Sequence, residues 1–226
     1  MLSGISVILV AVSFWKVKSL ILIPFYLCLV GLAYFFELFV LVFFNGYEYE
    51  PMLLNDKYFD NVFGANVSNG QIVPAAALAI AVFQLRFWTI LITTLSFMGI
   101  ESLFAKLGIY HHHWWNVFYT GVCLIAFFYI SKWIWKIINY HMDQPFFRAG
   151  FLYFAGVAFQ GTLHFAITTL FNIMYLEVNW FDNISRGHFA FITVYIFCSC
   201  IPFVLLTIKK VRWFWHLLVF CCLGAF

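Results

Sequence analysis

Long apolar runs, broken by short polar stretches, recur from one end of the chain to the other. Eight stand out: Leu2–Trp15, Leu20–Phe44, Ile72–Leu85, Phe87–Phe104, Val117–Ile130, Gly150–Tyr175, Phe189–Ile208 and Trp213–Phe226. A helix crosses a bilayer with about 20 apolar residues, so the first and third runs are short and their ends are open. Only Arg86 separates the third run from the fourth, and one long kinked helix is the alternative to two spans there. The pattern predicts an all-α polytopic integral membrane protein of about eight transmembrane helices.

Composition removes the soluble alternative. The chain is 65% hydrophobic, 23% aromatic and 9% charged, whereas charged residues make up about a quarter of a soluble domain. A net charge of +3 then says little about nucleic acid, and the expected partner is the lipid bilayer. Cys28, Cys123, Cys198, Cys200, Cys221 and Cys222 all lie inside apolar runs and read as small buried hydrophobes. Cys198 and Cys200, two apart on a helix, point to different faces. The first apolar run leads into lysines rather than a small-residue cleavage site, which argues against a signal peptide.

The basic residues assign an orientation. With the first connection placed in the cytoplasm, odd connections hold Lys16, Lys18, Arg86, Lys132, Lys136, Arg148, Lys209, Lys210 and Arg212. Even ones hold only Lys57, Lys106 and Arg186. The bias has the positive-inside sign and puts the N-terminus outside. Outer connections then carry Glu48, Glu50, Asp56, Asp60, Glu177 and Asp182, and two glycosylation sequons, Asn66-Val67-Ser68 and Asn183-Ile184-Ser185.

Self-similarity runs through the chain. Tyr58-Phe59-Asp60-Asn61-Val62 matches Trp180-Phe181-Asp182-Asn183-Ile184, and Arg86-Phe87-Trp88 matches Arg212-Trp213-Phe214. Phe44-Asn45 matches Phe171-Asn172, and Ser13-Phe14-Trp15-Lys16 resembles Ser131-Lys132-Trp133-Ile134, all at offsets of 118 to 127 residues. The expectation is two parallel four-helix repeats, residues 1–116 with an outer His/Trp segment and residues 117–226. By the same alignment Arg86 separates two spans. Phe226 aligns with Glu101, so the second repeat is expected to continue beyond the given sequence.

Glu37 is the acid that lies well inside an apolar span, where an ionised carboxylate costs several kcal/mol unless paired, neutralised or wetted. The Phe44/Phe171 anchor makes His164 its counterpart. Gln160, His164, Thr168 and Asn172 follow every fourth position and form a polar stripe that faces other helices. Two readings stand: a proton- or solute-handling site between the halves, or interhelical hydrogen bonding without further chemistry. The pairs Ala75/Ala79 and Ala77/Ala81 and the set Ala158/Thr162/Ala166 are small-residue spacings that permit close helix packing.

The stretch Gly108–Asn116, "GIYHHHWWN", invites a metal reading. In an extended segment His111 and His113 share a face, and Glu101 is a candidate third ligand. A structural zinc site still needs a fourth, so interfacial anchoring by Tyr110, Trp114 and Trp115 is the stronger expectation, with no metal and no cofactor. P-loop, dinucleotide, G-x-S-x-G and HExxH motifs are absent from the sequence.

From Glu48 to Lys136 the chain resembles a family of small multi-pass membrane proteins of spore-forming Firmicutes, known chiefly as hypothetical proteins. The shared pattern is an acid before a Leu-Gly-Ile/Leu-Tyr turn with a Trp soon after, met here by Glu101, Leu107 to Tyr110 and Trp114; the histidine run lies outside it. The resemblance implies a bacterial plasma membrane and no mechanism. The expected function is that of a non-enzymatic integral membrane protein of the cell envelope. The alternative is a small-solute or ion transporter with its site at Glu37 and His164.

Overall fold

The computed structural model describes residues 2–170 and 176–208. Helices make up 78% of the structure. Seven continuous helices form among the described residues, six of them long and apolar enough to cross a membrane. α1 is Leu2–Val17. α2 is Leu22–Glu37 and runs on as a π-helical turn, Leu38–Phe43. α3 (Lys57–Ala65), a π-helical segment (Asn66–Ile72) and α4 (Val73–Val82) are one helix. α5 is Phe87–Lys106 and α6 is Val117–Tyr140. α7, Pro145–Phe165, ends in a π turn, Ala166–Leu170, and α8 is Ile184–Ile208. The eighth expected span, Trp213–Phe226, lies outside the described residues, as does Asn172.

Span boundaries moved for physical reasons. The third span begins at Lys57 rather than Ile72, because the polar run before Ile72 is helical and turned inward. Asp56 caps it by accepting from Phe59 N at 2.9 Å. Asp60 (5% exposed) accepts from Met52, Leu53 and Leu54 N at 2.8–2.9 Å, and Asn61 accepts from Tyr49 N at 2.9 Å. Polar residues that look like a loop in sequence are spent here on organising the loop before them. The Asn66 sequon accordingly sits in a helix within the bundle, not in the surface loop that a glycosylated asparagine needs. α4 and α5 are separate helices, parted by a turn at Phe83–Arg86 in which Gln84 takes a positive φ of 50°.

α4 is the central post: all ten of its residues are buried, with Ala75, Ala77, Leu78 and Ala81 at 0% exposure. Its alanines admit α1, α2 and α6 to close range. In lipid such packing and interhelical hydrogen bonds, rather than hydrophobic transfer, hold helices together. α2 runs along α7, and Gly31 makes their approach possible, since a Cβ there would collide with the Phe154 carbonyl. α5 lies at the rim. Its outer face presents Trp88, Ile92, Leu95 and Leu103 at 52–69% exposure, with Thr89 and Ser96 the small polar residues among them, a largely apolar face suited to lipid.

Successive connections alternate between two ends of the bundle. Towards one end the Lys132 ammonium donates to Leu85 O at 2.7 Å, joining the C-terminal third of α6 to the α4–α5 turn. At the other end the connections after α2 and α5 pair as a two-stranded antiparallel ladder, β1 (Tyr47–Tyr49) with β2 (Tyr110–His112). Among the described residues this ladder is the exception to an otherwise all-α fold. An isolated two-stranded ladder is marginal in water, and here it is held by its side chains.

Candidate functional site

The histidine–tryptophan segment first closes the end of α2. A helix C-terminus leaves carbonyls without partners, and Gly46 O accepts from the backbone of His113 and Trp115 at 3.0 and 3.1 Å. Trp114 Nε1 donates to Phe44 O at 2.7 Å, and His113 Nδ1 lies 2.9 Å from Asn45 O. Arg186, at the start of α8, completes the cap by donating to Val42 O and Phe43 O at 2.9–3.0 Å, with its guanidinium 4.2 Å from the Phe181 ring centre.

The three histidines meet three different carboxylates. His111 Nε2 lies 3.2 Å from Glu50, His112 Nε2 lies 3.6 Å from Glu101, and His113 Nε2 lies 3.8 Å from Glu48. Strand alternation explains the divergence, because neighbours in an extended chain face opposite sides. His111 and His113 do share a face but not a ligand, and it is His112 that reaches Glu101. Among the described residues no three His, Cys, Asp or Glu side chains form a metal-ligand set. Lys57 closes the rim at 2.8 Å from Glu50 and 3.4 Å from Glu48. The Lys57 ammonium hydrogen-bonded to Glu50 holds that carboxyl below its usual range.

Beneath the ladder lies a cavity of about 760 Å³ between α1, α2, the α3–α4 helix, α5 and α6. Its walls are largely apolar, with Phe36, Phe97, Phe104 and Phe127 among them. Polar groups gather at one end. The Tyr47 hydroxyl donates to Glu37 Oε1, and Asn69 Nδ2 donates to the same oxygen at 2.6 Å, while Glu37 Oε2 has no hydrogen-bond partner among the described residues. Glu37 is 8% exposed. Across the cavity Trp115 Nε1 donates to Thr120 Oγ1 at 2.8 Å, and Thr120 faces the Glu101 carboxylate. Glu37 and Glu101 each stand five or six residues before the end of their helices at the ladder side, Phe43 and Lys106. Both are therefore roughly 8 Å below that end at 1.5 Å per residue.

Two π-helical segments aim these groups. Each widens its turn by one residue, a distortion that often marks functional sites. The α3–α4 segment, Asn66-Val67-Ser68-Asn69-Gly70, is built from poor helix formers. Tyr26 hydroxyl, 3.2 Å from Gly70 O and 3.3 Å from Gln71 O, serves the carbonyls it leaves over. The tyrosines of the roof are packed ring on ring, with Tyr49–Tyr110 centroids at 4.8 Å and Tyr47–Tyr110 at 5.2 Å. Burial, reinforced by neighbouring acids and phenols, pushes the phenols of Tyr47, Tyr49 and Tyr110 well above their usual range. They stand as hydrogen-bond donors.

The α7 stripe meets α8. Gln160 Oε1 accepts from Ser199 at 3.0 Å, the His164 ring lies 5.8 Å from that of His188, and Thr168 bonds back to His164 O at 2.9 Å. Glu37 and His164 line one small cavity of about 60 Å³ between α2, α7 and α8, together with Tyr34. The hydrogen bonds of Glu37 go to Tyr47 and Asn69. Sequence reasoning missed Tyr47, Asn69 and Thr120, since lone polar residues near span ends carry no spacing signal. Glu101, in the sequence a candidate third ligand for a metal that was not the stronger expectation, lines the cavity. Compared with family models, curated proteins and solved structures, the chain matches none of them.

Proposed function

We propose that this is a multi-pass protein of a bacterial plasma membrane that binds an amphipathic small molecule in its large cavity, without chemistry of its own. The observation that carries the reading is the cavity itself. About 760 Å³ of largely apolar space, with convergent polar groups at one end, falls in the range of drug-sized ligand sites. The basic residues support an orientation with the N-terminus and the ladder outside, so the polar end of the ligand sits under the outer leaflet's headgroups. The resemblance to multi-pass proteins of spore-forming Firmicutes is the family proposal. A duplication of four-helix units is favoured by the π turns that end both α2 and α7, at Leu38–Phe43 and Ala166–Leu170.

Protein purified in mild detergent is expected to retain an amphiphile through washing, visible by native mass spectrometry. Cys123→Trp, which fills the cavity from α6, is expected to lose it while remaining folded. Equal ligand content in both proteins would overturn the reading. A second reading, transport, is favoured because Glu37 lines both the large cavity and the small one it shares with His164. That position offers a proton-exchanging group between two compartments of the bundle.

A further inference from the structure

Charge decides which amphiphile fits. Among the described residues the cavity lining holds two carboxylates, Glu37 and Glu101, and no lysine, arginine or histidine. Of the basic groups at that end, Lys57 pairs with Glu48 and Glu50, Arg186 donates to carbonyls and covers the Phe181 ring, His112 approaches Glu101 from outside the lining, and Lys106 is exposed at the end of α5, also outside the lining. An anionic headgroup would face two acids in a low-dielectric space without a countercharge, which is costly. Glu101 already has Thr120 and His112 beside it. Glu37 Oε2 is buried without a hydrogen-bond partner among the described residues.

The aromatic roof points the same way. Tyr47, Tyr110 and Trp115 ring the polar end, with Tyr47–Tyr110 at 5.2 Å, Tyr47–Trp115 at 6.2 Å and Phe36–Trp115 at 5.7 Å. Ring faces attract a desolvated cation, and cages of this kind recognise ammonium groups. Glu101 Oε1 also accepts no hydrogen bond among the described residues but has His112 Nε2 at 3.6 Å, so the carboxylate left without an ion-pair partner there is Glu37, and it asks for one positive charge. Resting on the cavity reading above, we infer that the ligand is an amphipathic monocation, an amine or quaternary ammonium on an apolar body. Its charge sits between Glu37 and the Tyr47/Tyr110/Trp115 rings, and its apolar part lies among the phenylalanines.

Cys123 lines the cavity and reports occupancy, while Cys198 is exposed and serves as the control for general partitioning. Maleimide labelling of the purified protein, read peptide by peptide by mass spectrometry, is compared with dodecyltrimethylammonium, dodecanol and dodecanoate present. The ammonium is expected to protect Cys123 at concentrations about tenfold or more below those the other two require, with Cys198 labelling unchanged; tenfold is the usual scale for one such contact. Glu37→Gln is expected to abolish the preference while protection by dodecanol remains. Equal protection by all three probes, or a preference that survives Glu37→Gln, would overturn the cation assignment and leave the cavity reading standing. No protection by any probe would overturn the cavity reading itself.

Discussion

The hydroxyl of Tyr47 donates to the carboxylate of Glu37, which ties the first strand of the ladder to the end of α2. Ten residues separate the two in sequence, and the π turn at Leu38–Phe43 with the reversal at Asn45 brings them back together. That contact roofs the cavity with the element that also carries the histidines.

Tyr47→Phe removes a donor from a buried carboxylate. The expected cost is about 1–3 kcal/mol, the penalty for leaving such a group short of a partner. Thermal unfolding in detergent measures it. In a double-mutant cycle with Glu37→Leu the double variant should lose less than the sum of the single losses. Strict additivity would show that the two side chains are not coupled.

Gly31 and Gly99 make a matched pair of helix glycines with opposite surroundings. A Cβ at Gly31 meets the Phe154 carbonyl of α7, whereas one at Gly99 meets nothing within 4 Å. Gly31→Ala should destabilise by about 1–3 kcal/mol, as overpacking does. Gly99→Ala should gain roughly 0.5–1 kcal/mol from helix propensity. Comparable losses at both positions would contradict the α2–α7 approach.

Single cysteines at positions 16, 86 and 132 should behave alike towards an impermeant thiol reagent, and opposite to cysteines at 48 and 182. The Lys132–Leu85 hydrogen bond sets the C-terminal third of α6 beside the α4–α5 turn, and the paired connections after α2 and α5 lie at the other end. With the N-terminus outside, intact cells should label 48 and 182. Labelling of 132 from outside would reverse the orientation.

Glu50 should make the ladder acid-sensitive. Its carboxyl is held below the usual 4.5, first by the hydrogen bond from Lys57, then by the charges of Lys57 and His111. A carboxyl with a lowered folded-state pKa contributes stability that is complete above its unfolded value and is lost as pH falls through the lowered one. The difference in melting temperature between wild type and Glu50→Gln should therefore be constant at neutral pH and shrink as pH drops below about 4.5. A difference that stays constant through that window would refute the assignment.

Helical membrane architecture was legible in the residues themselves. Bilayer thickness sets a length and lipid forbids unpaired backbone, so runs such as Leu20–Phe44 and Phe87–Phe104 admit few other structures. The small-residue spacing of Ala75, Ala77, Ala79 and Ala81 likewise announced a tightly packed helix, and α4 is one. Tertiary structure decided where polar residues went. Asp60, Asn61 and Asn69 look like loop residues because composition cannot tell a solvated side chain from one that faces a partner across the bundle. Glu37 was singled out by its depth, yet its partner Tyr47 lies in another element, and Glu101 opposes it only because α2 and α5 flank one cavity. The three histidines read as one cluster along the chain; strand alternation turned His112 to Glu101, and the position along the ladder divided His111 and His113 between Glu50 and Glu48. Sequence spacing governs what a single helix or strand can present. Which faces meet across a cavity depends on how several elements pack at once.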